Sequence, residues 1–317
     1  MSDTHLTAPT RFVEVAGDQF AYRRWGNTAT DQPPLFMLQH FRGGMDHWDP
    51  LMTDGLAAGR EVILYNGRGV ASSSGQPRTR IEHMADDAAA VLRALGLQKV
   101  DVLGFSLGGF QAQDLTRRHP DLVRKLMLLG TGPRGGNPDS DPGVLERAPR
   151  PVPTLDDFLF LFFGRSEAAR QAGRDFWKRR HERVDQDPPS SPQVIQAQIE
   201  ANMYYLAKLP QRAIHKDAQC ARYVKNRTLE FQIQTSDGAG RHFHIGNGKV
   251  RSAAGLTTSP QFTLIFKDAA KGFAVLSAKE SKDAFLNALR SEELVICGDF
   301  VEVLWFQGLT DFLQPQK

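Results

Sequence analysis

Cysteine is almost absent from this sequence. Cys220 and Cys297 are the only two in 317 residues, which is too few for a disulfide framework or a thiolate metal site. Such sparing use of cysteine is typical of a reducing compartment. We therefore predict a cytoplasmic protein without a bound metal, and no motif in the sequence indicates a cofactor.

Long apolar runs and an excess of one charge are missing as well. No apolar stretch approaches the ~18–20 residues that span a bilayer, and residues 1–10 lack the charged, apolar and small-residue order of a signal peptide. The formal net charge of +3 is spread along the chain, whereas nucleic-acid binding proteins gather basic residues into a stripe. We expect neither a transmembrane segment nor a nucleic-acid partner.

The first 131 residues contain an alternation of apolar strands and helices. Continuous apolar runs predict buried strands, and the segments between them repeat apolar residues with a helical period. This alternation indicates an α/β fold with a mostly parallel, doubly wound sheet covered by helices on both faces. After a hairpin at 10–26, the predicted strands are 33–41, 60–69, 99–105 and 125–131, and the predicted helices are 81–97 and 110–123.

The pattern changes twice further along the chain. Residues 154–207 are helical, and after about residue 222 apolar and polar residues alternate, which predicts strands of a largely antiparallel sheet. A chain of 317 residues is long for one compact core, because domains tend to contain roughly 100–200 residues. We therefore predict a core at 1–150, a helical cap and linker at 151–221, and a separate α+β domain at 222–317.

A serine between glycines follows the predicted strand that ends near residue 105. Residues 104–108 read Gly-Phe-Ser-Leu-Gly and lead into a predicted helix. This is the nucleophile-elbow pattern, in which small residues at both ends allow a sharp turn that exposes the serine. Ser106 is therefore the candidate nucleophile. The amide of Leu107 lies at the helix N-terminus, where partial positive charge favours an oxyanion.

The elbow and the loops before it resemble the α/β-hydrolase superfamily, in its branch of small esterase-like and haloperoxidase-like members. The resemblance rests on His-Phe-Arg-Gly-Gly at 40–44, Asn-Gly-Arg-Gly at 66–69 and the elbow. These motifs occur in the family's order within residues 10–135. The resemblance implies the doubly wound sheet that the strand pattern already predicts.

The same resemblance implies roles for three further parts of the chain. The amide of Arg42 takes the place of the second oxyanion-hole donor, although Phe41 stands where the family more often has glycine. His40 is interpreted as a residue that orders this loop, because the family's catalytic histidine comes last in the chain. Residues 150–207 are similar to the helical cap over the site, in which the phenylalanines at 158–163 either pack internally or form an apolar lid.

The other two members of a catalytic triad are not evident. The family resemblance implies an acid and then a histidine on loops after the cap, and the strands and loops expected there are missing from the sequence. A serine without a base is a weak nucleophile near neutral pH. After residue 131 the histidines are His181, His215, His242 and His244. None lies where the family places its base, and the last two have no third metal ligand beside them.

The last part of the chain resembles the sterol carrier protein type 2 family over about residues 222–315. The resemblance implies a sheet and helices that enclose an apolar tunnel for acyl chains, sterols or other lipids. The apolar terminal helix agrees, because a helix that is apolar nearly all round must be buried or line a cavity. An ordinary core would use the same residues, so both readings stay open. The candidate ligand contacts are Leu264, Phe266, Leu304 and Phe306.

The combined prediction is a serine hydrolase of the carboxylic-ester type joined to a domain that binds apolar ligands, acting on a small apolar ester or lipid. The alternative is a lipid or sterol carrier whose hydrolase part is catalytically dead. A hydrolase sheet that ends at its sixth strand leaves that strand as an open edge, which is prone to pairing with another chain. Self-association through this edge is therefore a further expectation.

Overall fold

The computed structural model shows two units, each with its own sheet. The first comprises Met1–Arg134 and Arg150–Asn202, and the second comprises Gly135–Pro149 and Met203–Lys317. Glycine and proline between residues 132 and 153 predict a loop, of which 133–141 lie outside the described residues, as do 207–212. The described residues are 3–132, 142–148, 150, 152–206, 213–215, 217–238, 240–278 and 281–312.

The first unit contains a six-stranded sheet in the order β1-β2-β4-β3-β5-β6. Strand β2 pairs antiparallel with both β1 and β4. The other three pairs in that order are parallel. The doubly wound, mostly parallel sheet that the sequence predicts is therefore present. The strands are β1 (Arg11–Val15), β2 (Asp18–Gly26), β3 (Leu35–Leu38), β4 (Glu61–Tyr65), β5 (Val100–Phe105) and β6 (Val123–Leu129).

Both faces of this sheet are covered, and strand β3 shows why. Phe36 and Leu38 join the core on one side, and Leu35 and Met37 join the core on the other. Alternate side chains of a strand point to opposite faces, so an unbroken apolar run requires cover on both. The helices of this part are α1 (Pro50–Ala57), α2 (Ile81–Ala94) and α3 (Leu107–Arg118).

Three helices of the predicted cap belong to the first unit: α5 (Leu155–Phe162), α6 (Glu167–Arg180) and α7 (Pro192–Leu206, which extends four residues past Asn202). The N-terminus of α5 is fixed by a capping box in which Thr154 and Asp157 exchange hydrogen bonds. Ser166 caps α6 through a bond from the amide of Ala169. These local signals explain where the two helices begin.

Strand β6 forms one edge of the first sheet. It pairs with β5 on one side, and no strand of the described residues pairs with its other side. Met127, Leu128 and Leu129 are 37%, 43% and 42% exposed. The open apolar edge expected from the sequence is therefore present.

The second unit contains a five-stranded sheet in the order β11-β10-β7-β8-β9. Strands β7 and β10 run parallel, and the other three pairs are antiparallel, in line with the predicted largely antiparallel sheet. The strands are β7 (Leu229–Thr235), β8 (Gly240–Gly246), β9 (Lys249–Ala254), β10 (Phe262–Phe266) and β11 (Leu294–Gly298), and the helices are α4 (Pro142–Arg147), α8 (Ala218–Val224), α9 (Ala269–Ser277), α10 (Ser281–Arg290) and α11 (Phe300–Asp311).

The second unit departs from the sequence prediction in two ways. The alternation over 241–250 predicts one strand, whereas residues 240–254 form a hairpin that turns at Asn247 and Gly248, both at positive φ. The predicted boundary at 222 cuts α8, whose Cys220 and Val224 belong to the core of this unit. Among the described residues, no helix is long and apolar enough to cross a membrane.

Candidate active site

Ser106 lies on a sharp turn between β5 and α3. Its backbone has φ 54° and ψ −118°, a conformation that L-residues rarely adopt and that costs about 1–3 kcal/mol. A Cβ at Gly104 would lie 2.7 Å from Ala112 Cβ, and one at Gly108 would lie 2.7 Å from the Gln39 carbonyl oxygen. The two flanking glycines are therefore required by close packing, as the elbow pattern predicts.

Leu107 is the first residue of α3 and is buried. Its amide is one of the first four of the helix, which have no acceptor within the helix itself. The helix dipole adds partial positive charge at this point. The structure thus places this amide directly after Ser106, and its role as an oxyanion-hole donor stays a prediction.

The amide of Arg42 is already engaged by the cap. It donates a hydrogen bond of 2.5 Å to the side-chain oxygen of Gln198, a buried residue of α7. The Ser190 hydroxyl donates to the Arg42 carbonyl at 2.8 Å, and the Arg42 guanidinium donates to the Arg150 carbonyl. The Arg42 amide, predicted as the second oxyanion-hole donor, is therefore hydrogen-bonded to the Gln198 side chain of the cap. Arg42 itself is strained, with φ 56°.

Gln198 and Leu107 line the same small pocket, which has a cavity volume of about 40 Å³. That volume holds a few water molecules. Its wall presents both apolar and polar side chains, with Val70, Met84 and Leu107 among the apolar ones. The other polar side chains around it are Gln39, His40, Tyr65, Arg68, Arg78, Asp87 and Gln111.

His40 orders the loop that carries Arg42. Its ring donates from Nδ1 to the Phe41 carbonyl oxygen at 2.7 Å. Burial lowers the pKa of His40 to about 4 and also lowers that of neighbouring His47, because the charged form loses its hydration. The ring is consequently neutral near pH 7, and its contacts agree with the loop-ordering interpretation.

No described residue supplies a base to Ser106. Within the described ranges, neither a histidine nor a carboxylate hydrogen-bonds its Oγ, and no group of three or more acidic, histidine or cysteine side chains could hold a metal ion. His181 Nδ1 donates to the Trp177 carbonyl at 2.6 Å and His242 Nδ1 to the Gly255 carbonyl at 3.1 Å. The Nδ1 atoms of these two histidines are therefore occupied by backbone carbonyls of their own segments.

Aromatic side chains of the core and the cap meet beside the elbow. Phe105 lies 5.6 Å from the His40 ring and 5.8 Å from the Phe162 ring, and Phe162 lies 5.3 Å from Phe158. Part of the Phe-rich segment thus packs against the residue that precedes Ser106. We call Phe105, His40, His47, Phe158, Phe162 and Trp177 the aromatic cluster.

The four candidate lipid contacts do not share one environment. Leu264 and Phe266 on β10 and Phe306 on α11 are at most 6% exposed and belong to the core of the second unit. Leu304 is 52% exposed. The expectation that α11 is apolar nearly all round because it is buried or lines a cavity is therefore wrong for one side of the helix: Val303 and Phe306 are buried, whereas Val301 and Leu304 meet solvent.

Comparison with known proteins decides the family. The sequence model described as "alpha/beta hydrolase fold" matches residues 33–313. The chain belongs to the α/β-hydrolase fold family. A solved α/β-hydrolase fold protein from Chitinophaga pinensis is 37% identical, with a TM-score of 0.56, over 64% of this chain and 74% of that one. The family match includes the segment for which a sterol carrier domain was predicted, and that domain stays a prediction.

Two curated relatives of this α/β-hydrolase match a shorter segment. "Putative carbamate hydrolase RutD" of Agrobacterium fabrum is 29% identical over 33% of this chain and 40% of its own length. "Bifunctional esterase/perhydrolase DCH" of Acinetobacter calcoaceticus is 32% identical over 40% of this chain and 48% of its own length. The chain thus spans less than half the length of these relatives.

Two residues of the site were missed by the sequence analysis. Gln198 reaches Arg42 across 156 positions of the chain, and Arg180 enters the aromatic cluster from the end of α6. Neither stands in a motif, and their helices have no pattern that distinguishes a residue facing the site from one facing solvent.

Proposed function

We propose that this α/β-hydrolase is a serine hydrolase of the carboxylic-ester type, in which Ser106 accepts the acyl group. The strained backbone of Ser106 at the start of α3 carries the proposal, because a sharp turn of this kind exposes the serine side chain beside the amide of the following residue, Leu107. The names of the curated relatives, a carbamate hydrolase and an esterase, agree with hydrolysis at a carbonyl carbon.

The chemistry has two steps. Ser106 Oγ bonds to the ester carbonyl carbon, the bond to the alcohol oxygen breaks, and the serine proton leaves with the alcohol. Water then cleaves the acyl-serine bond and releases the acid. Loss of a triad partner typically lowers the rate by on the order of 10⁴–10⁶, so both steps are slow and the acyl-serine accumulates with an activated ester.

Mass spectrometry of the chain after exposure to p-nitrophenyl acetate tests the proposal. We expect an acetyl group on Ser106 and none in Ser106→Ala. Ser259→Ala is the matched control, since Ser259 is an exposed serine of the second unit, and it should acetylate at Ser106 as the wild type does. Absence of the adduct from wild-type Ser106 overturns the proposal. Fluorophosphonate labelling at the rate of active serine hydrolases would instead reveal a base that the described residues do not supply.

A second candidate concerns the second unit, which we propose binds an apolar ligand such as a fatty acyl chain. Phe300, Val301 and Leu304 on α11 are 50–69% exposed, and exposed apolar surface of this kind favours binding. Leu304→Glu should weaken binding of a fluorescent fatty acid. Val184→Glu, at a residue 99% exposed in the first unit, should leave that binding unchanged, and equal affinity in both variants would remove this candidate.

Self-association through β6 also remains a proposal. The exposed side chains of Met127, Leu128 and Leu129 support it, together with the unpaired backbone of an edge strand. Leu128→Lys places a charge on the edge and should convert an oligomer to a monomer in light scattering. A wild-type chain that is monomeric at all concentrations would contradict it.

A further inference from the structure

Among the described residues, two nitrogens of the buried Arg180 guanidinium have no hydrogen-bond acceptor. Arg180 ends α6 and is 9% exposed, and the two nitrogens are Nε and Nη1. Burying a guanidinium in this way is costly, and unsatisfied buried groups are rare enough to require an explanation. The other buried arginines of this region have partners: Arg23 pairs with Asp46, and Arg183 donates to four backbone carbonyls.

The flat faces of this guanidinium contact aromatic rings, whereas two nitrogens at its edges have no hydrogen-bond partner among the described residues. Its carbon lies 4.7 Å from the Phe158 ring centre and 5.0 Å from the Trp177 ring centre, so aromatic faces hold it by cation–π contact. Its N–H groups point outward in the plane of the guanidinium, the geometry that binds a carboxylate. The contacts therefore fix the position of Arg180 and leave hydrogen-bonding capacity at its edges.

The acidic and titratable groups nearby do not neutralise Arg180. Asp46 acts on it electrostatically, but the Asp46 carboxylate accepts bonds from Arg23 and from the amide of Asp187. His40 and His47 face Arg180 and are neutral near pH 7 because burial lowers their pKa values. Desolvation lowers the pKa of Arg180 to about 10, so it keeps its charge.

We propose that Arg180 binds the carboxylate of an anionic ligand whose apolar body lies against the aromatic cluster. Phe158 touches Arg180, Phe158 packs on Phe162, and Phe162 packs on Phe105, the residue before Ser106. The aromatic cluster thus connects the anion site to the elbow. The inference rests on the proposed function for one step only: if Ser106 is acylated, its substrate is an ester that also carries a carboxylate.

Calorimetric titration of the full chain with benzoate and benzamide tests the anion site. The two probes have the same ring and similar size, and they differ in charge. At fixed ionic strength we expect benzoate to bind at least about tenfold more tightly, the range of a hydrogen bond to a charged group. Equal affinity for the two probes overturns the proposal.

The variant Arg180→Met removes the charge and keeps an apolar chain among the rings. We expect it to lose the preference for benzoate and to melt at an equal or higher temperature, because an unpartnered buried charge no longer has to be desolvated. Arg174→Met on the same helix, where the arginine pairs with Glu167 at the surface, should retain the preference. A lower melting temperature of Arg180→Met with no benzoate preference in the wild type would show a structural role only.

The test of the anion site can fail or succeed independently of the test of Ser106 acylation. Ser106→Ala should bind benzoate as the wild type does, since Ser106 has no part in the anion site. Benzoate preference without acetylation of Ser106 supports the anion site and removes the hydrolase. Acetylation by the neutral ester p-nitrophenyl acetate without benzoate preference supports the hydrolase and removes the anion site.

Discussion

Buried charge is distributed unequally between the two units. In the described part of the first, eleven charged side chains are buried: Arg23, Arg42, Asp46, Glu61, Arg68, Asp87, Asp101, Asp114, Asp157, Arg180 and Arg183. In the described part of the second, the buried polar side chains are Gln232, Thr235, Thr263 and Thr310, none of them charged. Buried ion pairs add little net stability compared with apolar packing. The described interior of the first unit therefore depends on paired charges as well as apolar packing, whereas the described interior of the second unit contains no buried charge.

Among the variants that test this contrast, one that breaks a buried ion pair should lower the unfolding free energy most. Arg23 is fully buried against Asp46, and Arg23→Ala leaves that carboxylate uncompensated, at a cost of about 3–5 kcal/mol. Urea unfolding of the full chain measures it. Arg11→Ala, at an exposed arginine of β1, should change the unfolding free energy little; a similar loss in both variants would contradict the contrast.

Truncation in the apolar core of the second unit should follow in size. Leu264 is fully buried, so Leu264→Ala should cost about 2–5 kcal/mol through lost burial and a residual cavity. Leu304→Ala, on the exposed face of α11, should stay within about 0.5 kcal/mol. Thermal or urea unfolding compares the two, and equal losses would mean that the solvent-facing side of α11 is packed.

Acid should weaken the first unit through its buried histidines. The pKa of His40 is about 4 in the fold and near 6.5 in an unfolded chain, so between these values the unfolded state binds more protons. Stability is then complete above about pH 6.5 and falls as the pH drops toward 4, by about 1.4 kcal/mol per pKa unit, or about 3 kcal/mol in all. Melting temperatures measured across this range should depend less on pH in His40→Gln.

A matched variant isolates that effect. His83 on α2 is exposed, and His83→Gln should leave the pH dependence of the melting temperature as it is in the wild type. If His40→Gln also leaves it unchanged, the acid sensitivity lies elsewhere, for instance at His5, whose pKa burial likewise lowers to about 4.

The smallest expected effect concerns the contact between the cap and the oxyanion loop. Gln198→Ala frees the Arg42 amide from its present acceptor, a bond worth about 0.5–1.5 kcal/mol. Acetylation of Ser106 should therefore accelerate by roughly two- to tenfold. Gln193→Ala, at an exposed residue of the same helix, is the control. Slower acetylation in Gln198→Ala would mean that Gln198 supports the loop instead of blocking it.

The sequence predicts features whose interacting residues are close together in the chain, and it misses contacts between distant segments. The elbow is local: Gly104, Ser106 and Gly108 lie within five residues, and the steric demand is visible in their order. The contacts of Gln198 and Arg180 depend on how the cap packs, and no spacing within α6 or α7 specifies it. The expected burial of α11 was wrong on the side of Leu304 for a related reason, since an apolar sequence does not show which face of a helix packs against the sheet.

The strained turn at Ser106 also bears on how this gene would evolve. Glycine adopts the conformation at φ 54° and ψ −118° without the clash that a Cβ brings, so Ser106→Gly should raise the melting temperature, with a gain on the order of 1 kcal/mol. Selection for folding alone therefore favours glycine at this position. A lineage that keeps serine there does so against that pressure, and sequencing of chains evolved for stability without an activity requirement should show the replacement.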